Sequence, residues 1–187
     1  MPEALRSLAD IFEGWEGHQA SLVHAVAPLK PDQLSWRPAA ALRSVGELAR
    51  HISLGRVTWY ERMGAPGSAE VANLIDVWET DRDGNRNIVE SALQIADQAS
   101  ELVNWLELSW RMIETTLKTW EVSDLGETYR HTWNGDTYAV SRQWTIWRIL
   151  SHDIHHGGEL ALMLGMQGIQ AFELGDLFGH ITIPPLA

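Results

Sequence analysis

The chain has no cysteine among its 187 residues. That absence excludes disulfide bonds, thiolate metal sites and cysteine nucleophiles. Any metal ligand must therefore come from His, Asp, Glu or water, and any thiol chemistry needs a thiol supplied from outside. Basic residues are few, with 14 Lys and Arg against 25 Asp and Glu and a net charge of −11. Duplex binding needs a basic stripe to replace phosphate counterions, and the sequence has none, so nucleic acid is not expected as partner or substrate. Long apolar runs are also missing, because charges and glycines interrupt each one short of a bilayer's thickness, and no membrane partner is expected. Near the start stand Glu3, Asp10, Glu13 and Glu16 instead of a basic stretch followed by an apolar one. No secretory signal is expected there, and the cytoplasm is the expected location.

What is present is globular in composition. Hydrophobic residues make up 45% of the chain, which suits one domain over residues 1–187 with a sizeable core. Ten tryptophans stand out. Core filling is their first reading and an aromatic-lined cavity the second. Trp147 is expected in the core, and Trp59 facing a cavity.

Four long amphipathic segments are predicted. In the first, Leu8, Phe12, Trp15, Gln19, Leu22 and Val26 recur at spacings of three and four until Pro28. The stretch Leu29 to Arg43, with Pro31 and Pro38, reads as a loop. Ser44 and Glu47 form a capping box that opens the second helix, with Leu48, Ile52, Gly55, Trp59 and Met63 on one face. Gly64, Pro66 and Gly67 end it. A crossover follows, with a short helix expected near Leu74 to Trp78. Ile95, Ala99, Leu102, Leu106, Ile113 and Leu117 mark a third helix. Tyr129, His131 and Trp133 then alternate with polar residues before the turn dipeptide Asn134-Gly135, which predicts a β-hairpin. The fourth helix is predicted over Arg142 to Met166, with Trp147, Leu150, Ile154, Ala161 and Leu164 facing inward. The tail beyond it is expected to pack across the bundle. The fold class is all-α: a four-helix bundle with a long crossover and a small hairpin before the last helix.

Within the fourth helix lies Ser151-His152-Asp153-Ile154-His155-His156-Gly157-Gly158-Glu159. At about 100° per residue, His152 and His156 lie roughly 40° apart on one face, so two imidazoles can converge on a first-row metal. His155 can replace His156 only at a worse angle. A third ligand must come from elsewhere. His51, beside the apolar stripe of the second helix, is the best candidate, and His18, His24, His131 and His180 compete with it. Three protein ligands leave coordination positions open for water or substrate. Gly55 leaves space one turn beyond His51. The mid-helix pair Gly157 and Gly158 calls for close backbone approach or room for a ligand, since each costs about 1 kcal/mol against alanine. Glu159 returns to nearly the face of His152 and can serve as a partner to a ligand, a general base or a fourth ligand. Glu47 can orient His51, or serve only the cap.

Two separated motifs resemble the DinB/YfiT-like superfamily of bacterial helical bundles. One runs from Leu34-Ser35-Trp36-Arg37-Pro38 through Arg43-Ser44-Val45-Gly46-Glu47 to His51, and is similar to the family's entry into its second helix. The other is Leu150 to Leu160, similar to the family's H-x-x-x-H helix, with Leu164-Gly165-Met166 fitting more loosely. The resemblance implies a bundle with a long crossover, often a homodimer. It implies metal ligands at His51, His152 and His156, with Ni or Zn as the ion; the imidazole donors by themselves also suit Fe. It also implies activity as a thiol-dependent transferase or a metal-dependent hydrolase. The chain departs from the family at Gly157, where Arg is frequent, and at Glu159, where Gln is frequent. The loss of Arg weakens the case for an anionic substrate group there, and Glu159 adds a carboxylate near the metal.

The first functional expectation is therefore an enzyme acting on a small molecule, with a divalent metal activating water or an external low-molecular-weight thiol and Glu159 as the catalytic carboxylate. The second is a non-catalytic ligand-binding or stress-response module. The third is a structural bundle with buried histidines.

Overall fold

The computed structural model describes residues 7–93 and 98–171. It is mostly helical, with two small antiparallel hairpins. In chain order the elements are α1 (Leu8–Ile11), α2 (Trp15–Val26), α3 (Pro31–Ser35), α4 (Val45–Arg62) and α5 (Ser68–Ala72), then β1 (Trp78–Thr80) and β2 (Arg86–Ile88). There follow α6 (Ala99–Thr119), β3 (Thr128–Trp133), β4 (Asp136–Ser141) and α7 (Arg142–Met166), with 3₁₀ turns at Glu90–Ala92 and Val122–Gly126. No helix among the described residues is long and apolar enough to cross a membrane.

Local chemistry sets the ends of the long helices. The Ser44 hydroxyl accepts from the Glu47 backbone N–H at 3.2 Å, and the Glu47 carboxylate accepts from the Ser44 N–H at 2.7 Å, which is the predicted capping box at the start of α4. Gly64, at φ 65°, lies just past its end. Ser141 opens α7 by accepting the Trp144 N–H at 3.1 Å. Gly168 at φ 74° ends it, with the Ile169 N–H returning to the Leu164 carbonyl.

Several predicted elements need correction. The first helix is not continuous, because Gly14 sits at φ 99° and divides α1 from α2. A right-handed helix does not pass through that conformation. The supposed loop after Leu29 holds the short helix α3, where Pro31 takes a first-turn position that needs no N–H. The short crossover helix is Ser68–Ala72, and Trp78 opens a strand instead. Ile95, expected in the third helix, lies outside the described residues, as do His180 and most of the tail.

In α7 the boundaries match the prediction, but of the residues expected to face inward Leu164 is buried, Leu150 and Ala161 are half-buried, and two are exposed. Trp147 and Ile154 are 64% and 48% exposed. The buried stripe is Ile146, Ile149, Asp153, Gly157, Leu160 and Leu164. It keeps the three-and-four spacing but passes through a carboxylate and a glycine, so hydrophobicity alone points one residue away.

The chain separates into two compact units. The first comprises Met1–Ile11, Leu54–Gln94 and Leu108–Ile149, and the second Phe12–Ser53, Ile95–Glu107 and Leu150–Ala187. In the second unit α2, α4, α6 and α7 each contribute buried apolar side chains, among them Leu22, Leu48, Ile52, Leu106 and Leu160. In the first unit the predicted hairpin is present, with Asn134 at φ 52° and Gly135 at φ 85° in its turn. Beside it is the hairpin β1–β2, whose loop is held by Asp81. The Asp81 carboxylate accepts the backbone N–H groups of Asp83 and Asn85 at 3.0 and 2.9 Å. The Asn85 side chain pairs with the Thr132 backbone like a peptide unit, donating to its carbonyl at 2.8 Å and accepting its N–H at 3.3 Å. The Asp83 carboxylate accepts the N–H groups of Asn134 and Gly135.

Candidate metal centre

All three histidines of the expected set belong to the second unit, and their rings converge. His152 and His156, one turn apart on α7, have ring centroids 4.4 Å apart. His51 on α4 lies 5.0 Å from His152 and 4.8 Å from His156 by the same measure. Each offers a ring nitrogen within 4.8 Å of the others. Among the described residues, His18, His24 and His131 do not join this group.

Part of α2 fixes the α7 segment that carries the pair. The Trp15 indole N–H donates to the Asp153 carboxylate at 2.9 Å, and His18 Nε2 lies 2.9 Å from the Asp153 carbonyl oxygen. The His18 ring also lies against Gly157, where a Cβ would come within 2.5 Å of His18 Cε1. Close approach explains this glycine. Gly158 has nothing within 4 Å of the same position. His18 and Asp153 are both buried, and neither stands out in the sequence as a support of this segment.

The distances fit a metal. His51 Nε2 and His152 Nε2 are 3.2 Å apart. Two imidazole nitrogens bound at roughly 2.0–2.1 Å to one tetrahedral ion stand about 3.3 Å from each other. The Glu159 carboxylate lies 2.6 Å from His156 Nδ1, so Nδ1 carries the proton and Nε2 keeps its lone pair, the arrangement usual for a metal-bound imidazole. The second Glu159 oxygen is 3.3 Å from His155 Nε2. His152 Nδ1 is buried without a hydrogen-bond partner, 3.7 Å from the Asp153 carboxylate. A proton on that nitrogen faces a carboxylate oxygen, which leaves Nε2 with its lone pair. Glu47 is engaged by the cap and by Arg37 at 3.1 Å. The group at His51 Nδ1 is Arg43, at 3.4 Å. Were His51 to hold an ion through Nε2, its Nδ1 would carry the proton and could not accept from Arg43.

Ionisation favours the same chemistry. Burial, joined by the neighbouring His152 and His51 rings, lowers the His156 pKa to about 4, against the pull of Glu159. Burial alone would raise the Glu159 pKa, but its hydrogen bond to His156 and its attraction to the neighbouring His156, His155 and Arg43 side chains outweigh it and hold the carboxyl below its ordinary value. A neutral imidazole beside an ionised carboxylate is the state a cation needs.

The fold and this cluster together define a helical bundle with a partly buried three-histidine group. The chain belongs to the DinB superfamily, whose family model matches residues 15–160, and members of that superfamily bind divalent metals. The fold is similar to the crystal structure of a DinB-like protein from Bacillus cereus, with a TM-score of 0.63 and 14% identity over 88% of this chain and 95% of that one. At that identity the likeness is one of fold. No match is found among curated proteins.

Proposed function

We propose that the protein is a divalent-metal enzyme acting on a small molecule, with His51, His152 and His156 as its protein ligands. The observation that carries this reading is the 3.2 Å separation of the His51 and His152 Nε2 atoms, with His156 completing the group. An all-imidazole set without thiolate suits Zn, Ni or Fe. Such an ion supplies Lewis acidity that lowers the pKa of a bound water or external thiol. The three ligands leave further coordination positions for it.

The chain's own residues have separate tasks. His51, His152 and His156 would hold the ion from two helices. Glu159 retains the Nδ1 proton of His156 and so presents Nε2, and its 2.6 Å contact supports a positioning role ahead of the base or fourth-ligand roles. Trp15 and His18 hold Asp153, and with it the turn of α7 that carries His152.

The test is metal content by mass spectrometry on untagged protein purified without chelator. Near-stoichiometric Ni, Zn or Fe in the parent, lost in both His51→Ala and His152→Ala, is the expected result. A parent that stays metal-free after incubation with each ion sinks the proposal. With metal confirmed, turnover of hydrolysable esters and amides, and of electrophiles in the presence of small thiols, separates the hydrolase from the transferase.

A further inference from the structure

Strand alternation sorts the side chains of the β3–β4 hairpin. Tyr129, His131 and Trp133 share one face of β3, and their partners Val140, Tyr138 and Asp136 lie on the same face of β4. Every ring of the hairpin is therefore on that face, and the other carries none. The inner end of the face is packed, since Val140 is buried and the Tyr129 hydroxyl lies 2.7 Å from Thr145 Oγ1. The outer end is open. Trp133 and Tyr138, diagonal neighbours across the two strands, are 63% and 46% exposed.

Both line a cavity of about 690 Å³ in the first unit, within the range of small-molecule sites. Trp144 lines it too and is exposed. The Trp59 ring at the same wall already has protein against it. The Arg62 and Arg148 guanidinium groups lie 4.6 and 4.4 Å from its centroid, and the His131 and Trp144 rings 5.1 and 5.7 Å. Among the described residues, neither the Trp133 nor the Tyr138 ring has such a neighbour. Large rings left in water around a concavity serve a ligand better than they serve the fold.

Charge on the wall is balanced. Arg62 and Arg148 line the cavity together with Asp81 and Asp83, and Asp81 attracts Arg62. Asp81 accepts N–H groups from Asp83, Asn85 and Asn87, and Asp83 accepts those of Asn134 and Gly135. Arg62 donates to the Arg86 carbonyl and the Asn87 side chain. Burial holds the His131 pKa below its ordinary value, while the two arginines push it down and the two aspartates push it up. A bound ion of either sign would give up its water without meeting a surplus of opposite charge. A neutral ligand has no such cost.

We propose that this cavity binds a small, flat, uncharged aromatic molecule, its body laid against Trp133, Tyr138 and Trp144. None of these residues belongs to the three-histidine group, so the site does not rest on the metal reading.

The test is isothermal titration calorimetry on the full chain with 2-naphthylmethanol as probe. Beside it stand 2-naphthoate and 2-naphthylmethylammonium, which give the same body either charge, and decahydro-2-naphthylmethanol, which is similar in size but not flat. The aromatic alcohol is expected to bind about tenfold more tightly than either ion, and at least about twofold more tightly than the saturated alcohol, the worth of ring stacking. Trp133→Ala and Tyr138→Ala, both at exposed positions, are each expected to weaken it by about fivefold. Trp147→Ala removes an exposed ring outside the cavity and is expected to change nothing. Circular dichroism confirms that each variant is folded. The proposal is overturned by a lack of saturable binding, by an ion or the saturated alcohol binding as tightly as the aromatic one, or by undiminished binding in folded Trp133→Ala and Tyr138→Ala. An equal loss in Trp147→Ala overturns it too, because it would mark adsorption to any exposed ring.

Discussion

Gly157 and His18 are in such close contact that a single added carbon on the glycine would lie 2.5 Å from the imidazole Cε1. His18 cannot swing away freely, since it is buried and its Nε2 lies 2.9 Å from the Asp153 carbonyl oxygen. Gly157→Ala therefore trades about 1 kcal/mol of helix propensity for overpacking that costs roughly 1–3 kcal/mol, and net destabilisation is expected. Gly158→Ala meets no neighbour and should stabilise the chain by up to about 1 kcal/mol. Chemical denaturation of the two variants decides the matter. Equal effects of the same sign would count against the contact.

Removing the carboxylate charge at Glu159 should loosen the ion without abolishing its binding. Loss of a carboxylate that orients a ligand imidazole typically lowers metal affinity by about 10–100-fold. A chelator competition with Glu159→Gln measures this. An affinity equal to that of the parent would reduce the His156–Glu159 contact to a surface ion pair.

Arg43 has the opposite effect. Its guanidinium lies 3.4 Å from His51 Nδ1 and both repels a cation and competes for the nitrogen that must carry the proton. Arg43→Ala is expected to tighten divalent-metal binding, read in the same competition. Weaker binding would show that Arg43 supports the site.

The metal-free chain should lose stability as the pH falls through a defined window. His156 has a pKa of about 4 when folded and an ordinary value of 6.5. Above 6.5 the ring is neutral in both folded and unfolded chains. Between 6.5 and 4 the unfolded chain takes up a proton that the folded one refuses, so stability falls with falling pH, by on the order of 3 kcal/mol in all. Below 4 this group adds no further dependence. Denaturation at stepped pH, with His156→Gln as the comparison, isolates the effect. A variant as pH-sensitive as the parent between 6.5 and 4 would assign the dependence to other groups.

The chemistry-bearing residues were more legible in the sequence than the surface on which they lie. The i, i+4 spacing of His152 and His156 follows from helical geometry alone. The pairing with His51 came with the motif around Ser44 and Glu47. The bounds of α7, Arg142 to Met166, were also readable. Its inward face was not, because Asp153 and Gly157 lie on the buried stripe for reasons outside the helix: the Trp15 indole and the His18 ring. The hairpin at Asn134-Gly135 announces itself by a two-residue turn that requires positive φ. The hairpin β1–β2 does not, since its strands are three residues each and its loop is shaped by the Asp81 side chain. Trp59 does line a cavity, but the arginines beside it come together only through the fold.

Asn85 has one further consequence. Its side-chain nitrogen donates to the Thr132 carbonyl while its oxygen accepts the Thr132 N–H. Exchanging that nitrogen for oxygen, by Asn85→Asp, turns an attraction into a repulsion between two oxygens, at almost no change in mass or shape. At Thr132 the seam between the two hairpins thus hangs on a single side-chain amide. Faster amide exchange across 128–133 in Asn85→Asp than in the parent would reveal it.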